Sequence, residues 1–263
     1  MRRIQYLIVL ISVMVLLLGN GISKLTFAQQ EYGEAALGET GKMMEKVRSM
    51  EEEEEIFPHP FLIHMGISDK PGMLSLRLTG YRQGFNLEPY QTDFALHLET
   101  GLYNRFGLHI RNDAIKQEPR TDVMLMYNIL QGKGAESGVS LFGAGLIPSG
   151  TISEDEDKII GAFGIGARKV FRDLVIFDGD VHYMPQMKMA EYEFSGLFKG
   201  TQHFFPVIEI AGEIMKDETT SYLLSALKFK LAPGRFIGVG SQIGLTSSRD
   251  FDTRALLQLD MDW

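Results

Sequence analysis

The sequence predicts an all-β fold: a transmembrane antiparallel up-and-down β-barrel of about twelve strands, preceded by an N-terminal signal peptide and a short periplasmic segment. Three observations predict it. From Leu74 to Trp263 apolar and polar residues alternate with period two, the pattern of strands with one face in each of two environments. Short and long polar connections follow one another between those strands. Arg2 and Arg3 precede an apolar run from Tyr6 to Leu18 that is too short to cross a bilayer as a helix.

Residues 1–28 read as a secretory signal, since Thr26-Phe27-Ala28 places small residues where a signal peptidase reads. Cleavage there leaves 23 basic against 34 acidic residues, a formal charge of −11. Clustered positive charge is needed to hold phosphates, so a nucleic-acid partner is excluded. The chain has no cysteine, which removes disulfides, thiolate metal sites and a cysteine nucleophile. Residues 29–72 carry no period-two pattern and are assigned to a partly disordered periplasmic segment, with Glu51 to Glu55 as a solvated run. Pro71-Gly72 marks the turn into the barrel, residues 73–263.

The first strand sets Leu74, Leu76 and Leu78 against Ser75, Arg77 and Thr79; the second sets Phe94, Leu96 and Leu98 against Asp93, His97 and Glu99. Phe106, Leu108 and Ile110 oppose Arg105, His109 and Arg111 in the third. Val123 to Ile129, Val139 to Ile147 and a Gly-rich Ile159 to Ala167 supply the next three. In the seventh, Val175, Phe177 and Tyr183 oppose Asp178, Asp180 and His182; in the eighth, Tyr192, Phe194 and Phe198 oppose Glu191, Glu193 and Ser195. Ile208 and Ile210 oppose Glu209 and Glu213, and Leu227 and Phe229 oppose Lys228 and Lys230. Ile237 to Leu245 forms the eleventh. The last has Ala255, Leu257, Leu259, Met261 and Trp263 on one face and Arg254, Gln258, Asp260 and Asp262 on the other, with Leu256 out of pattern.

A soluble sandwich also alternates, so the connections matter. Tight links at Tyr103 to Arg105, Phe171 to Asp173, Lys199 to His203 and Ala232 to Arg235 follow even-numbered strands, while longer polar loops such as Pro148 to Lys158 follow odd ones. Tyr81, Tyr90, Tyr103, Phe106, Phe171, Tyr183, Phe198 and Phe204 lie near strand ends, where membrane barrels carry aromatic girdles.

The alternating strands and the ending Leu257-Gln258-Leu259-Asp260-Met261-Asp262-Trp263 resemble Gram-negative outer-membrane β-barrel channel proteins. They are more loosely similar to the transporter-like barrels grouped with meta-pathway phenol-degradation proteins. The resemblance spans residues 70 to 263 and transfers no substrate site. It implies that Trp263 serves as an assembly signal to the barrel-assembly machinery and that outer-membrane lipid and lipopolysaccharide are partners.

On this reading Arg77, Asp93, His97, Glu99, Arg105, His109, Arg111, Asp113, Asp122, Asp178, Asp180, His182, Glu191, Glu193, Glu209, Glu213, Lys228, Lys230, Arg254, Asp260 and Asp262 line the lumen. Two arrangements are open. Either the charges pair and plug a narrow barrel, or they line a water-filled path selecting small polar or charged solutes, with basic early strands facing acidic strands seven to nine. The functional expectation is a channel or transporter, not an enzyme. No serine lies two residues from His97, His109 or His182, and Asp180 with His182 lacks the further acids of a rim protease. His59 and His64 lie close in sequence, and His97, Glu99 and His109 share an inward face; such donors suit zinc, copper or nickel. Six histidines are ordinary in a chain of this length, and inward ones pair with acids, so no metal and no cofactor is expected.

Overall fold

The computed structural model describes residues 57–64, 66–84, 90–103, 105–112, 115, 120–131, 137–148, 158–172 and 174–263. The signal peptide at 1–28, residues 29–56, Asp113 and the acidic loop residues 151–157 lie outside the described residues. Twelve strands form one closed barrel: β1 (Leu74–Gly84), β2 (Gln91–Gly101), β3 (Phe106–Asn112), β4 (Arg120–Gln131), β5 (Gly138–Pro148), β6 (Ile160–Phe171), β7 (Val175–Met184), β8 (Met189–Phe198), β9 (Phe204–Ile214), β10 (Thr219–Ala232), β11 (Arg235–Gly244) and β12 (Thr253–Asp262). Each pairs antiparallel with its sequence neighbours, and β1 closes on β12 with Arg77 opposite Asp260 and Gly84 opposite Thr253. The seam continues to the last residue, where Leu74 and Trp263 exchange two backbone hydrogen bonds of 3.0 and 2.9 Å. No sheet edge is left to be desolvated, the condition for strands in lipid.

Period-two alternation sorts the side chains into two environments. Leu125, Phe163 and Leu257 point outward at 50%, 58% and 55% exposure, while Arg77, Lys228 and Asp260 point inward and are buried. An outward belt of large apolar groups is costly in water and favourable against acyl chains, so the barrel is built to cross a bilayer. Trp263 stands exposed at the end of the seam.

One departure from simple alternation and one from the expected girdle have local causes. The register shift between Asn128 and Leu130 turns both even-numbered residues to opposite sides, burying Asn128 and exposing Leu130. Tyr81, expected in the outer girdle, shares the inward face of Arg77 and Thr79 and is buried beneath the Arg254 guanidinium, 4.3 Å from its ring. Tyr90 and Tyr103 do stand outside, well exposed.

The largest difference from the sequence reading is the stretch before β1. Residues 57–64 and 66–70, assigned above to a periplasmic segment, lie inside the barrel. Phe61, Ile63 and Ile67 are buried, with Phe61 in one cluster with Ile176, Phe205, Phe236 and Leu256. Leu256, the residue out of pattern in the closing strand, faces inward to meet this segment. Pro71 then bridges to Gly101, and Gly72, at φ 88°, turns the chain from the lumen into β1.

Candidate functional site: a filled lumen and its vestibule

A chain segment inside a barrel has no ladder of its own, so its backbone groups need partners from the wall. The inward polar residues supply them. The Glu209 carboxylate accepts from the backbone N–H groups of Phe61 and Leu62, the latter at 2.9 Å. Farther along, Glu193 accepts from His64 N–H at 3.3 Å, Asp178 from Gly66 N–H at 3.1 Å and Asn128 from Ser68 N–H at 3.0 Å. Cations serve the carbonyls. Lys228 donates to His59 O at 2.6 Å and Pro60 O at 3.2 Å, and Arg77 donates to Pro60 O at 3.0 Å and Ile63 O at 2.8 Å. Gln258 donates to Phe61 O, and Ser140 donates to Gly66 O at 2.9 Å. The anchors come from eight different strands, and those from five of them are charged, giving hydrogen bonds about twice as strong as neutral ones.

Glycines in the segment and in the wall let the two approach closely. A Cβ on Gly66 would lie 1.8 Å from the Ala167 carbonyl oxygen, and one on Gly238 would lie 2.5 Å from the Phe61 ring. Both positions need the close approach that only glycine permits.

Above the segment the lumen opens into a cavity of about 250 Å³. Leu62 and His64 contribute to its lining from the segment; Arg111, Asp122, His182, Glu191, Glu193, Glu213, Asp250 and Arg254 are among its polar wall residues. His182 is held between Asp180 (3.2 Å) and Glu191 (2.8 Å). The β11–β12 loop folds into the mouth, where Phe251 stacks on Tyr222 at 4.6 Å and Tyr222 donates to Asp250 at 3.0 Å. Arg254 is braced there by Gln83 at 2.6 Å and by the Phe251 ring at 4.0 Å.

Of the residues expected to line the lumen, Arg77, Asp93, His97, Glu99, His109, Asp178, Asp180, His182, Glu193, Glu209, Lys228 and Asp260 are buried inside, and Arg111, Glu191, Glu213 and Lys230 are half-buried on inward faces. Arg105 is corrected: it lies in the β2–β3 turn, exposed, and donates to Ile129 O at 3.1 Å. The tight turn begins before the alternation of β3, so parity assigned it to a face it does not occupy. The basic and acidic walls do not stand apart as expected, because Arg111 of β3 reaches Glu193 of β8 at 3.1 Å across the lumen. Pairs also close within the wall, as Arg77 with Glu99, Arg168 with Asp178 at 3.3 Å, and Lys228 with Asp260. Asn128, Ser140, Gln258 and Gly66 were not picked out by charge. Their one signal in sequence was polarity or smallness at positions otherwise read as strand or tail.

Two histidines of the segment are driven in opposite directions. Burial disfavours the charged form of His59, but Asp262 at 3.1 Å and Glu99 at 3.4 Å outweigh it and push the group up to about 10. Burial, with the neighbouring charges of Arg111 and His109, holds His64 well below the ordinary imidazole range. The two acids thus favour the charged form of His59, while burial disfavours that of His64.

No protein-family model matches the chain, and no curated protein matches its sequence. A solved outer-membrane channel from Pseudomonas putida F1 is similar, with a TM-score of 0.56 and 9% identity, covering 79% of this chain and 100% of that one. The NanC porin aligns with a TM-score of 0.47 and 10% identity over 71% of this chain and 97% of its own. At 9% identity the likeness to the Pseudomonas putida channel is one of fold alone.

Proposed function

We propose that this chain is an outer-membrane channel or transporter for small polar or charged solutes, not an enzyme, and that the segment 57–70 fills its conducting path in the resting state. The observation that carries this reading is the vestibule: a cavity lined by polar wall residues together with Leu62 and His64 of the luminal segment, inside an outer surface made for lipid. The wall of the cavity contributes five carboxylates, Asp122, Glu191, Glu193, Glu213 and Asp250, against the guanidiniums of Arg111 and Arg254. That excess favours cationic or amine-bearing solutes. The solved channel of similar fold supports the same class of function.

Placement in the outer membrane, with both ends of the barrel strand array and Trp263 toward the periplasm, follows the same reading. Short turns then lie on the side of the termini and longer loops outside. Reversal potentials in planar bilayers test the selectivity. A Glu191→Gln/Glu213→Gln double variant, which leaves the segment's own partners in place, is expected to lose most of a cation preference shown by the parent. An unchanged preference would remove the acidic vestibule from the account.

A second reading is favoured by the dense bonding of the segment: a permanently plugged barrel whose loops contact partners. It predicts no conductance from the full chain under any condition, and an open path only once the segment is removed.

A further inference from the structure

Below the vestibule, His64, Glu99 and His109 come together from the luminal segment, β2 and β3. Glu99 and His109 are register partners on adjacent strands, and His64 is brought to them by the segment. One potential ligand atom from each lies within 4.8 Å of the others, and all three residues are buried. The Nδ1 atoms of His64 and His109 are 3.4 Å apart, with ring centroids at 5.5 Å. Two imidazole nitrogens bound to one tetrahedral zinc stand about 3.3 Å apart. The pair already has the separation that two ligands of one ion require.

Arg77 takes Oε1 of Glu99; Oε2 is buried and makes no hydrogen bond, its near neighbour being His59 Nδ1 at 3.4 Å. Nε2 of His109 is likewise buried without a hydrogen-bond partner among the described residues. Asp122 Oδ2 lies 3.9 Å from Nε2 of His64, on the side from which a carboxylate orients a metal-bound imidazole. His97 stacks against His64 with ring centroids 6.3 Å apart.

We propose that His64, Glu99 and His109 bind one divalent transition-metal ion of the zinc, copper and nickel class, fastening the luminal segment to the β2–β3 wall. Two imidazoles and a carboxylate form a donor set for these ions, whereas calcium and magnesium prefer oxygen alone. Because His64 belongs to the filling and the other two ligands to the wall, occupancy ties one to the other.

Zinc titration against a competing chelator, on purified full-length protein in detergent, tests this. One zinc per chain with sub-micromolar affinity is expected, with affinity falling by at least about 100-fold in a His64→Asn/His109→Gln variant. His203→Ala, a change at an exposed turn histidine, is expected to leave binding unaltered. Cobalt(II) added to the parent is expected to give the d–d absorption of a four- or five-coordinate nitrogen and oxygen site, absent from the double variant. Heat-dependent gel migration identifies whether the double variant has kept its barrel; if it has not, His109→Gln alone takes its place. Equal zinc affinity in parent and variant, or no cobalt band in the parent, overturns the proposal, and neither result depends on whether solutes pass.

Discussion

Glu209 illustrates how a single side chain joins wall and filling. Its inward position was legible from the alternation with Ile208 and Ile210, but its partners, the consecutive N–H groups of Phe61 and Leu62, lie about 150 residues away in the chain and left no trace in the pattern. Replacing it by Leu removes a charged acceptor and leaves two buried donors unpaired, a cost on the order of 3 kcal/mol to the seated segment. Hydrogen exchange is expected to accelerate at residues 61–68 while β9 stays protected. Unaltered protection there would show that Glu209 does not hold the segment. Arg105 shows the opposite error, in which an arginine on the expected parity lies in a turn because the turn begins before the alternation does.

Among the elements, the strands were legible because lipid and lumen impose opposite demands on alternate residues, and twelve of them follow from that rule. The luminal segment was not, because a chain threaded through a polar interior has no fixed period; its hydrogen bonds go to side chains at irregular intervals. Its lack of a period-two pattern placed it outside the barrel. Gly66 is where its path is most constrained, with the backbone of Ala167 filling the place of any side chain. Gly66→Val is expected to unseat the segment at a cost on the order of 2–3 kcal/mol, read as new protease cleavage between residues 57 and 70 with the barrel intact. Resistance equal to that of the parent would contradict the close approach. In the closing strand Leu256, the apolar residue on the otherwise polar inward face, makes sense once Phe61 is beside it.

For the molecule as a whole, the central question is whether the filling can yield. Its anchors are polar: carboxylates, guanidiniums and amides holding backbone groups. Water entering the lumen offers the same groups equivalent hydrogen bonds, so exchanging segment for solvent alters the net hydrogen-bonding energy far less than the bond list suggests. The apolar cluster around Phe61 and the Gly238 contact supply the part of the seat that water cannot replace. The seam from Leu74 to Trp263 closes the barrel with every strand paired to its neighbours and none to the filling. Single-channel conductance in planar bilayers, comparing the full chain with a variant in which residues 57–70 are replaced by a Gly-Ser linker, tests this most directly. The account predicts low or intermittent conductance for the full chain and a steady conductance several-fold larger for the variant. Equal conductance of the two, or none from either with the barrel folded, would contradict it.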